Sequence, residues 1–149
     1  MTEDYKMQRI KTRCRQYKKS DSSGITDIQI SSVDMMLPVE YYLKLSKDRH
    51  CAVCVYQEMI IGYVLYDVKQ AAVEILDIVV DKNFRRLGVG TSLLIYVMSK
   101  CNNNEKIFAS ISSNNIEGQA LFTRNKFVKE KIERLHRFGI ENYTIYVAA

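Results

Sequence analysis

One stretch, residues 73–101, constrains the fold more than any other part of the chain. It begins with residues 73–80, a β-branched, apolar run whose length suits a buried strand. A short polar turn follows, and residues 85–91 then open an apolar helix. That helix should bury one face, because apolar side chains recur at helical spacing: Leu87, Leu94, Val97 and Cys101. The stretch therefore predicts a strand, a basic glycine turn and a helix.

The start of this helix has the features of an anion site. Helix N-termini carry unpaired N–H groups and partial positive charge. Gly88 and Gly90 lack side chains where a phosphate would approach the backbone, and two arginines precede them. A Walker loop is excluded by the missing Gly-Lys-Ser/Thr, and a Rossmann fingerprint by Leu93 at its third glycine. We expect a pyrophosphate here, held by Arg85, Arg86, Leu87, Gly88, Val89, Gly90 and Thr91.

Length and composition favour one domain over residues 1–149, because 149 residues suffice for a single core. No apolar run reaches the roughly 18 residues of a membrane span, and the N-terminus lacks an apolar signal core. We therefore expect a soluble, cytoplasmic protein. Cys51 and Cys54 form a CxxC inside an apolar run, with no second cysteine pair and two histidines in all, which favours core cysteines over a metal site.

The net charge of +5 is concentrated in residues 6–19. One interpretation is a contact with nucleic acid, a ribosome or an auxiliary subunit. The other, which we favour, is an edge strand with a solvated basic face, since lysine and arginine protect sheet edges.

Hydrophobic period and turn residues predict the order β-α-α-β-β-β-α-β-α-β-β. The expected elements are strands at 9–15, 51–56, 60–67, 73–80, 107–111, 127–136 and 142–147, and helices at 22–34, 38–46, from about 87 to 101 and 116–125. Such an order implies an α/β (α+β) protein with a mixed sheet and helices on both faces.

The glycine turn, Arg85-x-x-Gly88-x-Gly90 after a buried strand, resembles the acetyl-CoA signature of the GNAT acetyltransferases. A second segment, from Asn115 to Phe127, is similar to the family's Asn…Ala-x-x-Leu-Tyr…Gly-Phe motif, with Phe122 where many members have a tyrosine. The resemblance implies a mostly antiparallel sheet of about seven strands with about four helices. It also implies acetyl-CoA as cosubstrate and no metal, with Asn115 and Phe122 beside the bound CoA.

A third segment, Leu37-Pro38-Val39-Glu40-Tyr41, resembles the NatE-type N-terminal acetyltransferases. That likeness implies that protein or peptide N-termini, starting with Met, are the acceptors. The implied acceptor pocket consists of Leu37, Pro38, Val39, Tyr41 and Leu76. Ser110 replaces the subfamily's histidine. A lysine side chain, a polyamine, another small amine, or a catalytically idle CoA-binding subunit remain alternatives.

Direct transfer of an acetyl group to an amine needs a base, a donor to the carbonyl oxygen and an acid for the thiolate. The resemblance assigns the donors to the backbone of Ile78, Val79 and Val80. Glu74, fourteen residues before Gly88, has the register of the family's catalytic glutamate and is our expected base. Strand alternation predicts that Asp77 points to the opposite face from Glu74. Tyr143 is the expected acid, with Tyr146 as a second candidate.

Overall fold

The computed structural model describes residues 10–32, 38–101, 105–137 and 140–148. Within them the strands are β1 Arg13–Gln16, β2 Arg49–Tyr56, β3 Met59–Lys69, β4 Ala72–Val80, β5 Lys106–Ser112, β6 Phe127–Arg137 and β7 Ile140–Ala148. The α-helices are α1 Ser22–Ser32, α2 Val39–Lys44, α3 Val89–Ser99 and α4 Ile116–Arg124. Two short 3-10 turns, Lys19–Asp21 and Lys82–Phe84, precede α1 and the glycine segment. The predicted element order is therefore confirmed.

The strands form one seven-stranded sheet in the order β1-β2-β3-β4-β5-β7-β6. Every neighbouring pair is antiparallel except β4 and β5, which are parallel because α3 crosses between them. The expected mixed, mostly antiparallel fold with helices on both faces is confirmed. No helix of the described ranges is long and apolar enough to cross a membrane. No group of three potential metal ligands occurs in those ranges either.

Two apolar clusters cover the two faces of the sheet. On the first face, Leu93 of α3 and Phe122 of α4 pack against residues such as Val64. On the second face, Ile25 of α1 and Val39 of α2 pack against residues such as Leu65. Strands in the middle of the sheet therefore bury alternate side chains against both layers, which explains their nearly continuous apolar sequences.

Strand β1 forms one edge of the sheet, which agrees with the interpretation of the basic segment as an edge strand. Arg13 is exposed, whereas Arg15 turns its guanidinium onto buried Asp21, with an Nη1–Oδ2 distance of 2.8 Å. Part of the positive charge of this segment is thus compensated within the fold. Residues 6–9 of the segment lie outside the described ranges.

Strand β4 contains a bulge that the alternating pattern did not predict. Leu65 of β3 pairs with Asp77 and Tyr66 pairs with Ile75, so the ladder passes over Leu76. A bulge places two residues opposite one, and Leu76 and Asp77 therefore share the second face. Glu74 also lies on that face, because it is two residues from Leu76. The prediction that Asp77 and Glu74 point to opposite faces is wrong, since the bulge reverses the alternation between them.

The parallel ladder between β4 and β5 ends halfway along both strands. It runs from Ala72 opposite Lys106 to Ile75 opposite Ala109. Beyond that point β4 continues along β3, and β5 continues along β7 as far as Ser112. The two strands consequently separate from Ile75 onward, and the split opens next to the bulge.

Candidate functional site

The glycine turn joins the end of β4 to α3 through two left-handed backbone positions. Arg86 has φ 65° and Gly88, the N-cap of α3, has φ 85°. Glycine adopts this region without the steric cost that a Cβ brings. The N–H of Ser92 donates to the carbonyl oxygen of Gly88 at 2.9 Å and so begins the helical ladder. The backbone N–H groups before Ser92 belong to the first turn of α3, whose amides have no partner within the helix and can therefore bind an anion.

Gly90 has a different physical reason for lacking a side chain. A Cβ at this position would stand 3.0 Å from Leu121 Cδ2 and 3.2 Å from Leu121 Cδ1. Gly90 therefore allows α3 to pack closely against α4. The sequence predicts phosphate approach at both glycines, and the structure adds a packing requirement at Gly90.

Arg85 links the glycine turn to the first turn of α4. Its Nη1 lies 2.9 Å from the Glu117 carboxylate, and its Nε donates weakly to the carbonyl oxygen of Val80 at 3.4 Å. Both side chains are substantially exposed, so the ion pair contributes little stability and a competing anion can replace it. The positive charge that the sequence assigns to this turn is thus partly compensated by Glu117, which sequence reasoning did not identify.

The backbone of β4 beyond the bulge presents alternating groups to the split. The N–H of Asp81 donates to the carbonyl oxygen of Ile61 at 2.9 Å, which fixes the phase of the antiparallel ladder. Hydrogen-bonded pairs alternate in such a ladder, so Val79 faces β3 while Ile78 and Val80 face the split. Of the three expected donors, Ile78 and Val80 are therefore directed to the β5 side. The N–H of Ile78 also donates to Oδ1 of Asp77 at 3.0 Å.

Asn115 is the N-cap of α4, on the β5 side of the split. Asn115 Oδ1 accepts a hydrogen bond from the N–H of Gly118 at 2.8 Å and caps the helix. Its Nδ2 lies only 2.7 Å from the position that a Cβ on Gly118 would occupy, which explains the glycine. The amide oxygen thus has a structural partner within α4.

Phe122, two turns after Asn115 along α4, is fully buried in the first-face cluster. Its ring lies edge-on to Phe127 at a centroid distance of 5.1 Å and stacks on Tyr146 at 5.9 Å. The hydroxyl of Tyr146 donates to Gln119 Oε1 at 3.2 Å. The phenol of Tyr146 therefore lies next to Phe122. It belongs to β7, and its hydroxyl is directed to α4.

Glu74 is 7% exposed and lies on the second face, next to the point where β4 and β5 separate. The Ser110 hydroxyl donates to Glu74 Oε2 at 2.6 Å, a distance typical of a charge-assisted bond. Lys69 Nζ lies 3.2 Å from Oε1. Sequence reasoning noted Ser110 only as the replacement of a histidine and missed this contact. The signal available was its position on the strand beside Glu74.

A second carboxylate, Asp67, sits directly opposite Glu74 on β3. Arg49 Nε binds Asp67 Oδ1 at 2.5 Å, and Arg49 Nη1 donates to the carbonyl oxygen of Tyr42 in α2 at 3.1 Å. The arginine compensates the charge of Asp67 and ties the neighbourhood of Glu74 to α2. The structure therefore brings the expected base and the expected acceptor segment onto the same face.

The expected acceptor residues differ in their exposure. Val39 and Leu76 belong to one buried cluster on the second face, whereas Tyr41 is 49% exposed and its ring packs edge-on against Tyr42. Pro38 is exposed and forms the N-cap of α2, one residue before the helical position expected for it. Leu37 lies outside the described residues.

Tyr143 belongs to β7, where its backbone pairs with Ser112 on one side and Glu133 on the other. Ser112 ends β5 on the far side of the split, so the backbone of Tyr143 lies at the edge of the candidate site. Its side chain is outside what the structure describes, and its role as an acid stays a prediction.

Comparison with known proteins identifies the family. The sequence model of the Acetyltransferase (GNAT) family matches residues 11–127. The chain therefore belongs to the GNAT family and is an acyltransferase that uses acetyl-CoA. No curated protein matches the chain significantly.

Solved structures share the fold at low sequence identity. Ard1 from Thermoplasma volcanium has 19% identity and a TM-score of 0.77, with coverage of 93% of this chain and 98% of that one. The ribosomal-protein-S18-alanine N-acetyltransferase from Escherichia coli has 14% identity and a TM-score of 0.73, covering 93% of each chain. Naa50 from Arabidopsis thaliana, solved with the bisubstrate analogue CoA-Ac-MVNAL, has 13% identity and a TM-score of 0.73, covering 94% and 99%.

Proposed function

We propose that this acetyltransferase transfers the acetyl group of acetyl-CoA to the α-amine of protein N-termini, with Met-starting chains as preferred acceptors. The observation that carries the proposal is the shared face of the sheet: Glu74, Leu76 and the α2 segment at Val39 lie on one side, next to the split between β4 and β5. The likeness in fold to the Arabidopsis Naa50 complex, whose analogue joins CoA to a peptide beginning with Met, supports this choice.

The split and the glycine turn fit the acyl donor. We propose that the pyrophosphate binds at the α3 N-terminus through Arg85, Arg86, Leu87, Gly88, Val89, Gly90 and Thr91. The pantetheine arm would follow the split, toward which the alternating ladder of β4 directs the N–H groups of Ile78 and Val80. The N–H of Val79 points to β3, so Val79 would line the split without donating a hydrogen bond. Asn115 would line the opposite side, with the buried ring of Phe122 behind it. The Ile78 N–H would hold the carbonyl oxygen once the Asp77 carboxylate releases it.

Glu74 is the proposed base, and Ser110 is a positioning residue. The Ser110 hydroxyl fixes Oε2, which leaves Oε1 as the oxygen that can accept a proton. Lys69, which contacts Oε1, is half-exposed and can yield that position to an incoming ammonium group or to a water molecule. Transfer requires the neutral amine, so Glu74 would take one proton from the acceptor ammonium, and Tyr143 would supply one to the departing thiolate. The nitrogen loses its second proton as the amide forms, and that proton would return to the Tyr143 phenolate.

The chemistry of the acceptor favours an α-amine over a lysine. An α-amine has a pKa of about 8 and a lysine about 10.4, so roughly a tenth of α-amines but under a thousandth of lysines are neutral at pH 7. The difference corresponds to about 3 kcal/mol of deprotonation that the enzyme need not supply. A carboxylate already engaged by hydrogen-bond donors therefore suits N-termini better.

The test is a comparison of two peptides of one sequence that begins with Met and contains an internal lysine. One has a free N-terminus, and in the other the N-terminus is blocked while the lysine is retained. Release of the CoA thiol should be fast with the first and close to background with the second. Equal rates with both peptides would refute the N-terminal proposal in favour of lysine. Activity with a polyamine alone would indicate a small-amine acceptor, and full CoA binding without turnover on any amine would indicate an idle CoA-binding subunit.

A further inference from the structure

Two cysteines face each other on neighbouring strands at one edge of the sheet, and neither strand carries a residue proposed for catalysis. Cys14 of β1 is the direct register partner of Cys54 of β2. Both are free thiols, with Cys54 fully buried and Cys14 half-buried on the edge strand. Neither residue has a part in the proposed transfer reaction.

The backbone geometry of this pair suits a covalent bond. The N–H of Tyr17 donates to the carbonyl oxygen of Cys51 at 2.9 Å, so that pair is hydrogen-bonded. Counting back along β1, every second pair is hydrogen-bonded, and Cys14 opposite Cys54 falls among the non-hydrogen-bonded pairs. Such partners have Cα atoms about 4.5 Å apart, within the range of about 4.4–6.8 Å that a disulfide spans.

The thiol chemistry separates this pair from the other two cysteines. The Cys14 thiol, acting as hydrogen-bond donor, lowers the pKa of Cys54 to about 7 against the opposing effect of burial, and Thr12 adds to the lowering. The same contact raises the pKa of Cys14, so the thiolate character of the pair lies on Cys54. Burial raises the pKa of Cys51 and of Cys101, which keeps both as thiols. Thiolate character favours oxidation.

We propose that Cys14 and Cys54 are a redox modification site, at which hydrogen peroxide or a low-molecular-weight disulfide produces a cross-strand disulfide. With peroxide, one thiol becomes a sulfenic acid and the first oxygen leaves as water. The second sulfur then displaces the sulfenic oxygen as a second water. An S–S bond forms, the O–O bond breaks, and the two electrons and two thiol protons of the pair pass to the peroxide.

The disulfide would fix β1 to the sheet at a place where the strand also contacts α3. Gln16 Nε2 donates to the hydroxyls of Tyr66 and Tyr96 at 2.9 Å and 3.0 Å, and Tyr96 belongs to α3. A covalent bond two residues away would hold this contact in place. It would also close a long loop through α1 and α2, which lowers the entropy of the unfolded chain. Oxidation should therefore raise the unfolding midpoint.

The experiment treats the folded protein with hydrogen peroxide, blocks residual thiols with an alkylating agent, and maps the peptides without reduction. We expect a peptide pair joined through Cys14 and Cys54, a mass lower by two hydrogens, and a higher unfolding midpoint that a reductant reverses. The matched control is a Cys51→Ala, Cys101→Ala double variant, which keeps the pair and should behave like the wild type. Cys14→Ser should show neither the joined peptide nor the shift.

Three results would overturn the proposal. One is recovery of Cys14 as a sulfinic acid or a mixed disulfide with Cys54 still alkylatable, and another is a joined peptide that contains Cys51 or Cys101. The third is the same midpoint shift in Cys14→Ser, which would assign the effect to another residue. Should Cys14→Ser fail to fold, a Cys54→Ala variant provides the same comparison from the other strand.

Discussion

A single carboxylate at Gly88 gives the sharpest test of the nucleotide site. We expect Gly88→Asp to weaken CoA binding by at least tenfold, and Gly88→Asn to retain most of it. Gly88 has φ 85°, and aspartate and asparagine are among the non-glycine residues that tolerate this region best. The two side chains have the same shape, so both variants carry a similar backbone strain of roughly 1–2 kcal/mol. They differ in one negative charge.

The size of the effect follows from the position of Gly88 as the N-cap of α3. A carboxylate there would lie about 5 Å from an anion bound at the helix start, where two unit charges repel by about 0.8 kcal/mol in water and about 3 kcal/mol at an effective dielectric constant near 20. A pyrophosphate carries about two charges, which gives a penalty of roughly 2–7 kcal/mol, or at least tenfold in Kd. Part of the penalty should disappear at high salt.

Isothermal titration of CoA into both variants, at low and at high ionic strength, measures this difference. Circular dichroism and thermal unfolding of the same samples show whether the variants are folded. The reasoning is refuted if folded Gly88→Asp and Gly88→Asn bind CoA with equal affinity. It is also refuted if both lose binding to the same extent, because shape rather than charge would then decide.

Four further variants test the catalytic pair and the packing of α3 and α4. Glu74→Gln should lower kcat by about 10²–10⁴-fold at neutral pH. In a pH–rate profile this loss should shrink as the pH rises, because the amine then deprotonates by itself. Ser110→Ala should lower kcat less, and it should have no additional effect in the Glu74→Gln background. Gly90→Ala should reduce the free energy of unfolding in urea by roughly 1 kcal/mol, because crowding against Leu121 outweighs the gain in helix propensity. Phe122→Tyr should keep the fold and give turnover at or above the wild-type rate, and a large drop in CoA release would show that the added hydroxyl has no place beside the thioester.

The elements of this fold are readable from sequence because each buried face repeats its apolar residues at a fixed period. The strands around Gln57 and Glu58 are an example, since two apolar runs flank a two-residue turn in which both residues have positive φ. The bulge in β4 is different. It inserts one residue without any sequence signal such as glycine or proline. The regular alternation of side chains along the strand therefore predicts the wrong face for Asp77. The second role of Gly90 was also hidden, because helical spacing does not reveal which neighbour a missing side chain accommodates.

Ser110 shows the same limit at the site itself. It lies 36 residues from Glu74 in sequence, and the contact exists because the parallel ladder places Ser110 just past Ala109, the partner of Ile75. Sequence comparison could note that a histidine is missing at Ser110, but only the register of β4 and β5 shows that the serine hydroxyl meets the carboxylate. The site therefore differs from the subfamily at this position, but Glu74 still has a hydrogen-bond partner there, the Ser110 hydroxyl.

The surroundings of Glu74 combine opposing effects, and their balance bears on the acceptor. Burial and the neighbouring Asp67 disfavour a charged carboxylate, while the Ser110 hydroxyl and the Lys69 ammonium favour it. Arg49 forms an ion pair with Asp67 and cancels much of its repulsion, so the Ser110 and Lys69 contacts are left to favour the charged form. Donors to a carboxylate weaken it as a base. Such a carboxylate can assist an amine that is already partly neutral, and the α-amine of a protein N-terminus fulfils that condition better than a lysine side chain.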